Sequence, residues 1–433
     1  MNMVKPAPTP EQTRKVGINK ELRMRSELES IYTDFKGIYN AEKKDMPNAI
    51  YMDIQDAELV DAWRGRIVMK YPLREEGVFG DDAAVGREEQ PETKTAEIYR
   101  GNCRKVISIP GYGTDKLDAD HIKLYEQHKK DLADWNKEQE DLEIHQALLE
   151  SHGGTLLHGS TSSDNGGPCA RTFNPNIFIA GFGAYDARQP VYHYQPGTWA
   201  QRIATALAAT PNGVGSILDS VAMDSLINYA TKKRISQLDL PVTGGKGWIL
   251  TVSEIQAGYI INPAWSEHNL GSRWVEAAAL GDKIMNWRGV LGHYRNLLIV
   301  QDMRMPSVLR TTSATPTLVA GYVKHGGRDE RVRFGTQSGE VAHDVAVLHG
   351  RGALYKWEPE KLHRIEDDED YGKVEGVGTA CVRGIGLPIF RYNINPGVNW
   401  AGFGEGGDSP SGTTHEQFSS VVALLGLPGE IPA

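Results

Sequence analysis

Three observations predict an α+β fold. The stretch from Asp115 to Ser151 contains no Pro and no Gly and is dense in Lys, Glu, Gln, Leu and Ala, the strong helix formers. Short β-branched runs stand elsewhere, such as Val106-Ile107 with Ile109 and Leu297-Leu298-Ile299-Val300. No stretch of the chain repeats another at a fixed period, which argues against a solenoid or propeller.

In chain order, residues 1–55 read as an N-terminal arm. Pro6, Pro8 and Pro10 favour an extended start, and the polar segment after them cannot form a core alone. Residues 56–110 read as a long β-hairpin, with one strand about Arg66 to Tyr71 and the other from Ile98 to Ile109. Its tip, Arg74 to Glu92, carries seven acids: Glu75, Glu76, Asp81, Asp82, Glu88, Glu89 and Glu92. An isolated two-stranded ribbon is marginal in water, so this one should lie against another surface, often that of a second subunit.

The helix at 115–151 follows. Tyr125, His128, Leu132, Trp135, Gln139, Leu142, Gln146 and Leu149 recur at alternating steps of three and four, which places them on one stripe opposite a mostly charged face. Asp118 and Asp120 suit its first turn, and Gly153-Gly154 suits its end. At ~1.5 Å per residue it would be on the order of 50 Å long, more than one compact core requires.

A Gly/Ser/Asn/Pro-rich passage then runs from Gly153 to Gly197, with a short strand at Ile177-Phe178-Ile179-Ala180. Helices are expected around Trp199 to Leu207 and around Leu218 to Tyr229, the latter ending in Lys232-Lys233-Arg234, which suits the negative end of a helix dipole. Trp248 to Val252 reads as a buried strand leading into a helix near Ser253. Leu297 to Val300 and Thr317 to Ala320 read as further strands.

Composition narrows the function. The chain has 433 residues, room for two or three domains, and a net charge of −9, which argues against a surface that grips nucleic acid throughout. Its three cysteines, Cys103, Cys169 and Cys381, are far apart and form no CxxC, which fits a reducing compartment. No apolar run approaches the ~20 residues of a membrane span, and no signal peptide is visible.

The motifs of catalysis and metal binding do not form. Gly111-Tyr112-Gly113 and Gly244-Gly245-Lys246-Gly247 lack phosphate-loop spacing and read as turn glycines. Gly335-Thr336-Gln337-Ser338-Gly339 places its serine one position late for a nucleophile elbow. There is no HExxH, and His121 and His128 read as packing or surface groups. Glu366-Asp367-Asp368-Glu369-Asp370 lacks the alternation and central Gly of a calcium loop and reads as a solvated charge run. No catalytic, cofactor-binding or metal-ligating residue is therefore assigned, and no cofactor is expected.

A set of short signatures in a fixed order is more informative. These are Tyr71-Pro72-Leu73 with Gly77-Val78-Phe79-Gly80 and Gly86-Arg87-Glu88-Glu89; Leu132-Ala133-Asp134-Trp135; Trp265; Asn286-Trp287 with Gly289-Val290-Leu291-Gly292; and Leu348 to Leu354 with Asp370-Tyr371-Gly372 and Arg383-Gly384-Ile385 leading to Phe390. In this order the chain, from about Val16 to Arg391, resembles the major capsid proteins of tailed double-stranded DNA bacteriophages, and within them the branch typified by phage N-four. It departs from that branch around Trp265, with Ser253-Glu254 and Ala257-Gly258, and around Asn286.

The resemblance implies the Hong Kong 97-type fold: an arm over 1–55, an E-loop hairpin over 56–110, a P-domain over 111–245 with spine helix 115–151, an A-domain over 246–345, a return to the P-domain over 346–391, and a C-terminal extension over 392–433. It also implies self-assembly into hexamers and pentamers of an icosahedral virion shell, built in the bacterial host cytoplasm around double-stranded DNA that is enclosed without sequence-specific binding. Scaffolding, portal and decoration proteins are the other implied partners, with no membrane and no enzymatic activity. From the residues themselves, Glu75, Glu76, Asp81, Asp82, Glu88 and Glu89 are expected to contact basic groups of an adjacent subunit, with Lys129 and Lys130 as candidates. The competing readings are an encapsulin-like nanocompartment shell and a soluble enzyme with an unrecognised site.

Overall fold

A computed structural model of the chain describes residues 31–39, 48–54, 58–61, 64–70, 93–110, 118–150, 174, 176–179, 218, 220–240, 245–261, 274–276, 289–305, 307–311, 318–323, 332–333, 340–369, 374–393 and 413–425. Chain order begins with α1 (Ile31–Asp34), β1 (Lys36–Tyr39), β2 (Tyr51–Ile54), β3 (Glu58–Asp61), β4 (Arg64–Lys70), β5 (Thr93–Tyr99) and β6 (Gly101–Pro110). The long helix α2 (Asp118–Glu150) and β7 (Ile177–Ile179) follow, then α3 (Ser220–Lys232), β8 (Leu238–Leu240), β9 (Gly245–Val252) and α4 (Glu254–Ile261). Next come β10 (Trp274–Glu276), β11 (Val290–Tyr294), β12 (Leu297–Gln301), β13 (Ser307–Thr311), β14 (Leu318–Val323), β15 (Val332–Arg333) and β16 (Glu340–His349). The last are β17 (Leu354–Glu369), β18 (Val374–Gly386), β19 (Phe390–Asn393), β20 (Thr413–Glu416) and β21 (Ser420–Leu425).

These strands form three sheets. The first, in the order β1-β2-β17-β18-β6, carries α2 across it. The second has eleven strands and runs β10-β11-β12-β9-β16-β13-β14-β15, with β21 and β7 branching from β16 and β8 from β9. The third, β20-β19-β5-β4-β3, contains the base of the ribbon. In the second sheet Trp248, Leu250 and Val252 of β9 pack with α3 and α4, while Ile249 packs in a separate cluster with Leu298 and Val300. Both faces are covered, which is why these strands read as continuous apolar runs. Ser253 caps α4: its Oγ accepts from the Gln256 N–H at 3.2 Å.

The predicted helix, its neighbour α3, and the strands near 177, 248, 297 and 318 are all present, within the usual end effects. The helix expected at Trp199 to Leu207 lies outside the described residues. Four readings change.

First, the strand expected from Ile98 to Ile109 is two strands in two sheets. β5 pairs with β4, and β6 pairs with β18. The break falls at Arg100, whose guanidinium sits 5.3 Å over the Trp357 ring. The backbone of Tyr99 passes so close to Gly384 that a Cβ there would lie 2.2 Å from the Tyr99 carbonyl oxygen. Gly384 is thus needed for close approach. Second, the described part of the expected arm, residues 31–39 and 48–54, contributes to the core. Tyr32 is buried, and β2 sits between β1 and β17 with Tyr51, Met52 and Ile54 inside. Third, residues 392–433 contain a core element: all six residues of β21 are buried. Fourth, Gly245 and Gly247 lie on β9, not in a turn. A Cβ on Gly247 would meet the Asn296 carbonyl at 2.2 Å, the same carbonyl that accepts from the Trp248 N–H.

Candidate functional site

The long helix was expected to have one apolar and one charged face. Over its last turns it is instead buried on all sides: every residue from Glu140 to Leu149 is inside. Ile144, Ala147, Leu148 and Leu149 supply the apolar contacts, packing with Tyr51, Leu354, Ile385 and Leu424. Glu140, Asp141, Glu143 and His145 also point into protein, so each needs a compensating partner.

Two groups of partners meet these charges. Glu140 takes the Lys356 ammonium at 2.8 Å and the Tyr51 hydroxyl at 3.0 Å, with an Arg383 nitrogen at 3.6 Å. Arg383 donates from Nε to Glu143 at 2.6 Å and from Nη1 to Asn136 at 3.0 Å. The second group lies about one turn further along. His145 Nε2 and Asp302 Oδ2 are 2.8 Å apart, and Arg304 donates to Asp141 at 3.1 Å and, from its backbone N–H, to Asp302 at 3.0 Å. The Tyr32 ring stands edge-on to both His145 and His349, and the His349 imidazole bonds the Thr251 hydroxyl at 2.9 Å.

Burial pushes the Glu140 carboxyl up, but Lys356 and Arg383 outweigh it and hold the group at about 2. For Asp302, likewise, burial is outweighed by His145, and the carboxyl lies below its ordinary range. For Asp141 burial wins over His145 and Arg304, and the carboxyl is raised. Burial holds His349 neutral, its pKa pushed down to about 3.

A third polar group ties the helix end to the C-terminal strand. The Asn174 N–H caps the helix at the Leu149 carbonyl, and its side-chain amide donates to Ser420 Oγ at 3.0 Å. The Asn176 amide donates to the backbone carbonyls of Gln417 and Ser420. On the neighbouring sheet, Ser253 Oγ donates to the buried Asp344 at 2.5 Å.

These charges neutralise one another inside the chain. Removing one partner of such a buried pair typically costs about 3–5 kcal/mol, because the other is left uncompensated. The arrangement holds α2 to β2, β17, β18 and the turn after β12. A cleft of about 330 Å³ lies apart from it, lined by Thr231, Arg234, Gln237, Lys246, Trp248 and Arg351 among others. None of the paired residues lines it.

Of the residues expected to join subunits, Glu75, Glu76, Asp81, Asp82, Glu88 and Glu89 lie outside the described residues. Lys129 and Lys130 are on α2, and the Lys130 side chain is exposed. The exposed edge just beyond is acidic rather than basic, carrying Asp131, Asp134 and Glu138. Trp135 is only half-buried there, with Lys105 Nζ 5.9 Å over its ring. The buried network was not foreseen. Its available signal was chemical: Glu140, Asp141 and Glu143 crowd the helix end where Ile144, Ala147 and Leu148 become continuous.

A long helix packed on a five-stranded sheet, an eleven-stranded mixed sheet and the paired β4 and β5 are the elements of the Hong Kong 97-type capsid fold, the α+β architecture the sequence implied. The solved capsid of Ralstonia phage GP4 matches with a TM-score of 0.54 at 17% identity, over 93% of this chain and 92% of that one. The capsid asymmetric unit of cyanophage Pam1 matches with a TM-score of 0.50 at 11% identity, over 93% of each chain. No family model and no curated protein matches the sequence.

Proposed function

We propose that this chain is the major capsid protein of a tailed bacteriophage. The observation that carries the reading is the end-to-end correspondence with the GP4 capsid, in which 93% of this chain matches 92% of that one. Many copies would form hexamers and pentamers that close into an icosahedral shell around double-stranded DNA, each subunit making rotational contacts that return on themselves. The role is structural, and the buried ion pairs serve the subunit's rigidity.

In this reading β4 and β5 are the base of the E-loop, and their Ile67, Ala96 and Ile98 are buried on the subunit's own core. Helix α2 is the spine of the P-domain, residues 246–345 form the A-domain, and residues 346–391 return to the P-domain. Scaffolding, portal and decoration proteins are the expected partners, the virion is the location, and assembly takes place in the host cytoplasm. The acidic tip residues Glu75, Glu76, Asp81, Asp82, Glu88 and Glu89 reach a neighbouring subunit near Lys129 and Lys130, and Lys105 adds a cation beside that helix.

The test is electron microscopy and sedimentation of the purified chain, expressed alone and with candidate assembly partners. Closed shells of uniform size are expected. A species that remains monomeric or dimeric under all these conditions overturns the reading.

A further inference from the structure

The register of β6 against β18 places Cys103 directly opposite Cys381. The sequence alone separates them widely and offers no reason to pair them. Neither is in a disulfide; Cys103 is partly exposed and Cys381 buried. The pairing runs without a shift from Pro110 opposite Val374 to Gly101 opposite Arg383, so the two positions are held in register by ten consecutive partners. Directly opposed residues of an antiparallel pair have Cα atoms about 4.5–5.5 Å apart, inside the ~4.4–6.8 Å window of a disulfide. Their side chains leave the sheet on the same face and pack with Ala133 of α2 and Leu362.

We propose that Cys103 and Cys381 form a two-electron modification site, in which a small disulfide such as oxidised glutathione converts the facing thiols into a disulfide that staples β6 to β18. Cys103 is the attacking group. It is the accessible one of the two, and Arg383 donates to its sulfur at 3.9 Å. Its thiolate attacks one sulfur of oxidised glutathione, giving a mixed disulfide and one glutathione thiolate, which is protonated by solvent. Cys381 then attacks the Cys103 sulfur, and its proton goes to the second departing glutathione. Two protein thiols are oxidised and one glutathione disulfide is reduced to two thiols. The hydrogen bond with Cys103, followed by burial, pushes the Cys381 thiol up, which keeps it protonated and leaves the first attack to Cys103. In a reducing cytoplasm the pair stays open; outside it, the sheet under the long helix is closed covalently.

The test uses the full chain with C169S, leaving only these two thiols, incubated natively with oxidised glutathione. Expected are loss of both titratable thiols, one peptide pair linking Cys103 to Cys381 in a non-reducing mass map, a monomeric non-reducing gel band, and a melting temperature higher by on the order of 5 °C than the reduced chain. C103S and C381S should each abolish both the link and the shift. The proposal is overturned if the native chain keeps both thiols, if it stops at a glutathione adduct on Cys103, or if the link forms only after denaturation. None of these readouts requires that shells form, so failure here leaves the capsid reading standing.

Discussion

Glu140 is one carboxylate among two cations and a phenol, and His349 is an imidazole enclosed by Thr251, Tyr32, His145 and Asp302. Both have folded-state pKa values below their ordinary ones, about 2 against 4.5 and about 3 against 6.5. In each case the unfolded chain binds the proton more readily, so stability present at higher pH is lost as pH falls. For His349 the loss begins near pH 6.5 and runs towards 3. For Glu140 it begins near 4.5 and runs towards 2. Each window is worth on the order of a few kcal/mol. Urea unfolding of the subunit across pH 8 to 3 should therefore show a stability plateau, a decline below about 6.5, and a steeper decline below about 4.5. His349→Gln should flatten the upper part of the decline relative to its own plateau. A curve level down to pH 3 would contradict the assignment of buried, mutually compensating charges.

At the scale of elements, β21 is the decisive correction. Its sequence Ser420 to Leu425 is buried at every position, pairs with β16 on one side and β7 on the other, and belongs to the same sheet as β9. Removing residues 413–433 would leave both neighbours with unpaired edges and expose the apolar clusters around Val347 and Leu348. The truncated chain should be insoluble or lack a cooperative unfolding transition, as judged by circular dichroism. A soluble, cooperatively folded truncation would restore the view of this region as a dispensable extension.

What was legible in the sequence follows from this contrast. The helix at 118–150 announced itself by length and composition, and Trp248 to Val252 by a continuous apolar run, because local propensity and burial agree there. The break at Arg100 was hidden because a strand that changes sheets keeps its β-branched residues on both sides of the break. The Glu140, Glu143 and Arg383 group was hidden because its partners lie 240 residues away, and a charged residue looks the same in sequence whether water or arginine meets it. Burial on α2 also departs from its periodicity. Trp135 sits at a half-buried edge while Leu148, off the predicted stripe, is fully enclosed.

For the whole molecule, the proposed seam between subunits makes a separate prediction. Reversing both Lys129 and Lys130 to Glu should leave the melting temperature of the isolated subunit within a degree or two, since Lys130 is exposed and surface changes usually cost under ~0.5 kcal/mol. Shell yield by sedimentation should drop severalfold, and reversing Glu88 and Glu89 to Lys in the same chain should recover part of it. Normal shells from the lysine variant alone would remove these residues from the interface.

The joining of β7 to β21 also sets a schedule. Asn174, just before β7, and Ser420, at the start of β21, hydrogen-bond across a separation of 246 residues. At roughly 5–20 residues per second of synthesis, on the order of ten to fifty seconds pass before β7 can find its partner. During that interval the nascent chain has its long helix but not the strand that closes the sheet behind it. A newly made chain therefore reaches its finished shape only once β21 has been synthesised, however early its long helix forms.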